Sequence, residues 1–296
     1  MPNPRLLQTA ERWMNKEAPI IKSNAGVRDP QPQNSPIAVG FPDNVGSSFL
    51  FSYDGAHKDF AQELIAKNNE LFSGTQAEIP TGTSGEVAKM YILKRLGLLT
   101  ALHKNTQLRS ANLYPITPAQ SEYLLKTENL TNPSDNWEDL ALILYDHSES
   151  GENPQEAKAL YQEISKHRQD LGLSKSDLEK KLIIVNSGIK RMDGMPYGVC
   201  PIILPGLTQV YTHEVLDKVG EDFNFEGYGL KGGLPIVKQL EKGDRTLYLP
   251  DETENIGLRV LYRNWDLDLN ARYWDLANSN VAGRVSFAPQ GRSPKK

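Results

Sequence analysis

Residues 257–288 read GLRVLYRNWDLDLNARYWDLANSNVAGRVSFA, and the rest of the chain is read outward from them. Two short apolar segments, 258–262 and 284–287, have the composition of strands. Between them polar residues alternate with Trp265, Leu267, Leu269, Trp274 and Leu276. An apolar comb is expected to hold the run down while its other face is displayed. With the flanking strands it gives the expected scaffold: Val260, Trp265, Leu267, Leu269, Trp274, Leu276, Arg284, Val285 and Phe287.

Residue usage in this window is unlike that upstream. Lys, Glu, Gln and Met make up about a fifth of the residues before it, so about half a dozen are expected here. The window holds none. The positions expected to be displayed are Asn264, Asp266, Asp268, Asn270, Ala271, Arg272, Tyr273, Asp275, Ala277, Asn278, Ser279, Asn280, Val281 and Ala282. All belong to the set encoded by codons ending in a pyrimidine. Codons AAC or AAT randomised at their adenines give that set and exclude Lys, Glu, Gln, Met and Trp.

The RVLYRNWD opening, the Asn-derived positions between fixed Trp and Leu, and the closing GRVSFA resemble the variable protein of a diversity-generating retroelement. In that family a reverse transcriptase copies a template repeat with errors at adenines, and the copy replaces the 3′ end of the gene. The closing strand is similar to that of the formylglycine-generating-enzyme type of C-type-lectin-like fold. The resemblance covers about the last third of the chain. It implies an α+β protein with a C-terminal C-type-lectin-like fold, preceded by a mainly helical α/β N-terminal region. It also implies a binding protein rather than an enzyme, with no cofactor, whose variable residues at about 258–288 capture a macromolecular ligand, a protein. The residue-level alternative is an Asn/Asp-rich surface loop on another β-containing domain.

At 296 residues the chain can bury a sizeable core. A net charge of −4, without a basic block outside the tail 292–296, argues against a sequence-independent grip on nucleic acid. Cys200 is the single cysteine, so an intrachain disulfide and a Cys-based zinc site are excluded, and its apolar surroundings read as a buried thiol. No apolar run approaches membrane-span length and residues 1–16 lack a signal peptide's apolar core. The expected location is cytoplasmic or phage-associated.

In chain order, residues 3–17 read as an amphipathic docking helix with a capability for oligomerisation, and residues 23–46 as a long loop. A strand at 48–53, a helix at 56–72, a helix running from the 80–85 loop to Leu98 and a capping-box helix at Thr117 follow. Residues 140–145 suit a buried strand. The polar stretch 146–154 is the expected boundary, giving segments 1–148 (mixed helical), 149–181 (helical connector) and 182–296 (ligand-binding, lectin-like). Short strands at 182–185, 199–204 and 246–249, with brief helices at 213–219 and 235–241, complete the pattern.

Other motifs fall short of their chemistry. In PTGTSG, Gly85 is followed by Glu86 where a phosphate loop needs Lys. Gly227, Gly229 and Gly232 match GxGxxG with Glu252 downstream, but FNFE is a poor central strand; a small-molecule or nucleotide enzyme using the Gly227–Gly233 loop, with Asp222 and Glu226, is the competing reading. Asp266, Asp268 and Asn270 begin like a calcium loop, yet Ala271 and Ala277 stand where Gly and Glu are needed. That leaves a weaker calcium-dependent lectin site at Asp266, Asp268 and Asp275. His213-Glu214 lacks the second His of a zinc protease, and formylglycine-generating chemistry needs paired cysteines.

Overall fold

The structure, a computed structural model, describes residues 47–226, 232–251, 256–273, 275–277 and 281–290. Strand β1 (Phe49–Leu50) leads into helix α1 (Lys58–Phe72), which buries Phe60, Ala61, Leu64, Ile65 and Phe72 at helical spacing. Helix α2 (Ile92–Lys104) is buried from Ile92 through Leu102, because it lies between two apolar layers. Leu93, Leu96 and Leu99 join one core, while Leu98, Ala101 and Leu102 join the core shared with α1. Gly97 permits this close approach: a Cβ there would collide with Asn68 Oδ1 on α1.

Helix α3 (Thr106–Ser110) is capped by the Asn105 side chain, and β2 (Leu113–Pro115) follows. Helix α4 (Pro118–Lys126) opens with the reciprocal capping box between Thr117 and Gln120. Strand β3 (Glu138–Leu144) is buried at every residue; helix α5 (Pro154–Lys166) and strand β4 (Leu182–Val185) come next. Strands β5 (Gly188–Arg191) and β6 (Val199–Ile202) form a separate hairpin. The remaining strands are β7 (Gln209–Thr212), β8 (Asp222–Phe225), β9 (Arg245–Tyr248), β10 (Leu258–Arg263), β11 (Leu269–Tyr273) and β12 (Ser286–Pro289).

These strands build a seven-stranded sheet ordered β7-β4-β3-β10-β11-β9-β8, antiparallel except for β11 beside β9. Alternation divides its residues between two faces. Leu142, Leu144, Ile184 and Val260 pack with residues of α2 and α5, while Ile143, Ile183, Leu261 and Leu269 pack with Val215, Leu216 and Leu234. A second sheet, β1-β12-β2, joins the first described strand to the last, with Phe49 opposite Phe287. The architecture is therefore mixed α+β.

Several expectations are corrected here. The division at 148/149 and 181/182 does not divide the sheet, since β3 lies between β4 and β10. Residues 146–154 form a tethered connection instead: Asp146 Oδ2 accepts the Gly257 N–H at 2.9 Å, and the Tyr145 N–H donates to the Gly257 carbonyl at 2.9 Å. Gly257 has φ +57°, and a Cβ on it would strike the backbone of Glu152. The helix expected from residue 85 begins only at Ile92. The expected helices at 213–219 and 235–241 are single 3-10 turns, Glu214–Asp217 and Val237–Gln239. The helix at 3–17, the loop at 23–46, Gly227, Gly229 and Glu252 lie outside the described residues. Among the described residues no helix is long and apolar enough to cross a membrane.

Candidate recognition surface

The run 258–288 is built on the β10–β11 hairpin at the middle of the large sheet. Its turn is closed from within: the Asp268 N–H donates to Asn264 Oδ1 at 2.9 Å, and the Asn264 N–H to the Asp268 carbonyl at 3.1 Å. Leu267 takes a left-handed φ of +67° there. The turn carries Trp265 and Asp266 outward, and Trp265 is 47% exposed.

Two irregularities in pairing shape the surface beside it. Val260 pairs with Tyr273 and Tyr262 with Asn270, so β11 has one residue more than β10 between them; β3 likewise has one more, since Leu261 pairs with Ala141 and Tyr262 with Asp139. Such bulges re-aim side chains. Here Tyr273 comes to the side of Tyr262, with ring centroids 5.7 Å apart and planes perpendicular. Trp137 stacks on Tyr262 at 4.0 Å and meets Trp265 and Tyr273 edge-on at 5.9 and 6.0 Å. Four aromatic rings thus form one cluster running from the exposed turn into the sheet.

Beneath the cluster the support is polar. Glu138 is fully enclosed and accepts from the Ser286 N–H at 2.7 Å and the Ser286 hydroxyl at 2.9 Å, while Arg263 lies 3.3 Å and Arg95 3.8 Å away. Burial lowers Arg95 to about 10, with Glu138 and then Asp139 opposing the shift. Asp139 accepts from the Ile92 N–H at the start of α2, at 2.6 Å, and from the Trp137 indole N–H at 3.1 Å. Burial nonetheless pushes Asp139 up to about 7 against those bonds and Arg95.

The structure separates the residues expected to be displayed. Trp265, Asp266 and Val281 are exposed; Asn264, Asn270, Arg272, Tyr273, Asp275, Ala277 and Ala282 are half-buried. Asp268 and Ala271 are buried and not displayed. Ala271 alternates with Leu269 into the core, because a strand cannot show four successive residues on one face. Asp268 turns inward because its carboxylate accepts the Thr246 N–H at 2.7 Å. Of the expected scaffold, Val260, Leu269, Leu276, Val285 and Phe287 are buried, Leu267 is half-buried, and Trp265 is displaced outward by the turn. Arg284 is half-buried and bridges to Glu86 at 2.8 Å. Trp274, Asn278, Ser279 and Asn280 lie outside the described residues.

Arg272 is tethered rather than free, with its Nε on the Leu249 carbonyl at 2.7 Å and its Nη2 on Asp222 at 2.8 Å. With Asp268 turned inward, the expected calcium trio is not assembled, and no group of three or more His, Cys, Asp or Glu suited to a metal occurs among the described residues. Cys200 is buried, which raises its thiol to about 11. Trp137, which links the exposed and buried aromatics, carried no sequence signal beyond being an aromatic at the polar start of an apolar run. Comparison with protein-family models, curated proteins and solved structures found no match to the chain.

Proposed function

We propose that the chain is a diversified recognition protein, the target of a diversity-generating retroelement, with a C-type-lectin-like scaffold presenting a variable face to a protein ligand. The observation that carries this reading is the separation within a single run. Leu269, Leu276, Val285 and Phe287 are built into the core, whereas Asp266 and Val281 are exposed and Asn264, Asn270, Asp275 and Ala277 half-buried, in a run whose Trp265 carries the aromatic cluster to the surface. Pairing of β12 with both β1 and β2 holds the run's end, so changes on the face leave its anchor in place. Aromatic and Arg side chains commonly dominate protein contacts, and Asn, Asp and Ser supply adaptable hydrogen bonds. Trp265 has a distinctive role: its codon lies outside the randomised set, so it is a constant contact at the centre of changing neighbours.

A displayed library tests the reading. Asn264, Asp266, Asn270, Asp275, Ala277 and Val281 are replaced by adenine-randomised AAC codons, beside a second library randomised at Leu269, Ala271, Leu276 and Val285. The first library is expected to keep most members folded and to yield binders to unrelated protein targets. Equal collapse of both libraries would refute the division between face and scaffold.

A further inference from the structure

Asp139 stands between the aromatic cluster and the helix beneath it. Its Oδ1 accepts the Trp137 indole N–H at 3.1 Å, and its Oδ2 accepts the Ile92 N–H at the start of α2, at 2.6 Å. The indole N–H is the only polar group on a tryptophan side chain, so this bond is the directional tie on the ring. The backbone of Trp137 is fixed separately, its N–H donating to the Ala282 carbonyl at 3.2 Å and its carbonyl accepting from the Arg284 N–H at 2.9 Å. What remains to be set is the ring, which lies on Tyr262 at 4.0 Å and meets Trp265 and Tyr273 edge-on. Stacking alone lets a ring slide or turn on its neighbour's face, whereas a hydrogen bond from its edge does not.

The two bonds are unequal. Ile92 is fully enclosed, so its amide has no water to turn to, whereas Trp137 is half-buried and holds the longer bond. An ionised carboxylate serves two donors at once, while a protonated one keeps a single good acceptor. A proton on Asp139 therefore releases the indole first. The charged and titratable groups facing Asp139 are Arg95 from α2, Glu138 beside it on β3, Tyr262 from β10 and Tyr273 from β11; Arg263 meets Glu138 at 3.3 Å. Burial, outweighing the two bonds and Arg95, brings the Asp139 carboxyl to about 7, where small changes in pH alter its charge.

We propose that Asp139 is the positioning residue of the recognition face: as a carboxylate it locks the Trp137 ring on Tyr262 and fixes the edge offered to Trp265 and Tyr273, and on taking up a proton it frees that ring. This deepens the recognition reading by giving the face a proton-dependent shape, and its meaning for a ligand rests on that reading.

The test is a pH titration of the full chain without ligand, from about pH 5 to about pH 9, with nitrogen-15 at the tryptophan indoles and carbon-13 at the aspartate carboxyls. The Trp137 signal is identified by its loss in Trp137→Phe. In the unaltered chain it should move downfield through one transition, with the midpoint of the Asp139 carboxyl carbon, and the Trp265 signal should follow it. Trp137→Phe keeps a ring on Tyr262 and removes the donor, so it should raise the Asp139 midpoint by about one to two pH units, the equivalent of one hydrogen bond to a charged group. A carboxylate that merely supports the fold would leave that midpoint where it was. Asp139→Asn should abolish the Trp137 transition; if that variant folds poorly, the unaltered chain and Trp137→Phe decide between them. A Trp137 signal flat across the range, or an Asp139 midpoint unmoved in Trp137→Phe, would overturn the proposal. A flat signal while the exposed-position library still folds and yields binders removes the positioning role and leaves the recognition reading standing. Coupled transitions with collapse of that library keep the positioning role and remove the reading.

Discussion

Single residues of the run differ in what they hold. Leu276 is enclosed and its replacement by Ala should cost about 2–5 kcal/mol, whereas changes at Asp266 or Val281 should stay within about 0.5 kcal/mol. Trp265→Ala belongs with the second group, since nearly half of the side chain is already in solvent. Urea unfolding of the four variants checks the order, and a large loss at Asp266 or Val281 would contradict it. Asp139 gives a pH signature. Its carboxyl titrates near 7 when folded, against 3.8 ordinarily, so between about pH 4 and pH 7 the folded state holds a proton that the unfolded state has released. This group's contribution therefore weakens as pH rises through that window and levels off above about 7. Asp139→Asn, which removes the titrating carboxyl and keeps one acceptor oxygen for either Ile92 or Trp137, should flatten that part of the melting-temperature profile. Parallel profiles for the two proteins would count against a protonated Asp139.

At the scale of elements, layering around α2 and the buried polar tie make the sharpest demands. Gly97→Ala forces α1 and α2 apart at Asn68 and should destabilise by about 1–3 kcal/mol, read from the denaturant midpoint. Glu138→Gln strips the counter-charge from Arg95 and Arg263, and should cost about 3–5 kcal/mol, where an isolated surface pair would cost less than about 1. What could be read locally in the sequence was read well. The Thr117–Gln120 capping box needs only residues three apart, and the apolar run at 140–145 marks the fully buried strand found at Glu138–Leu144. What depends on distant partners was not legible. The polar stretch 146–154 has the composition of a linker, but its hydrogen bonds run to Gly257, more than a hundred residues away. Asn153 and Glu156 have the spacing of a capping box, yet no side-chain cap forms at α5, and burial raises the Glu156 carboxyl above its ordinary value.

For the whole molecule, the central sheet draws strands from the first and the last of the expected segments, so the run 258–288 contributes an interior hairpin of the fold and is not an appended module. This makes face and scaffold inseparable in space while keeping them distinct by residue. The alternation of Trp and Leu with polar residues told which run mattered, but strand phase, the turn at 264–268 and the bulges beside Tyr262 decided which side chains emerge. Those depend on β3 and β9, whose register against the run no local pattern encodes. The same holds for Trp137, which meets Tyr262 only through the pairing of β3 with β10. The central claim, that this face is diversified for recognition, is tested most directly by sequencing the native locus: the gene's 3′ end in many cells, with the few kilobases beside it. The account predicts a near copy of the segment encoding residues 258–288, carrying adenines at the codons for positions such as Asn264, Asp266, Asn270 and Val281, beside a reverse-transcriptase gene. A single invariant 3′ end with no such copy would contradict it.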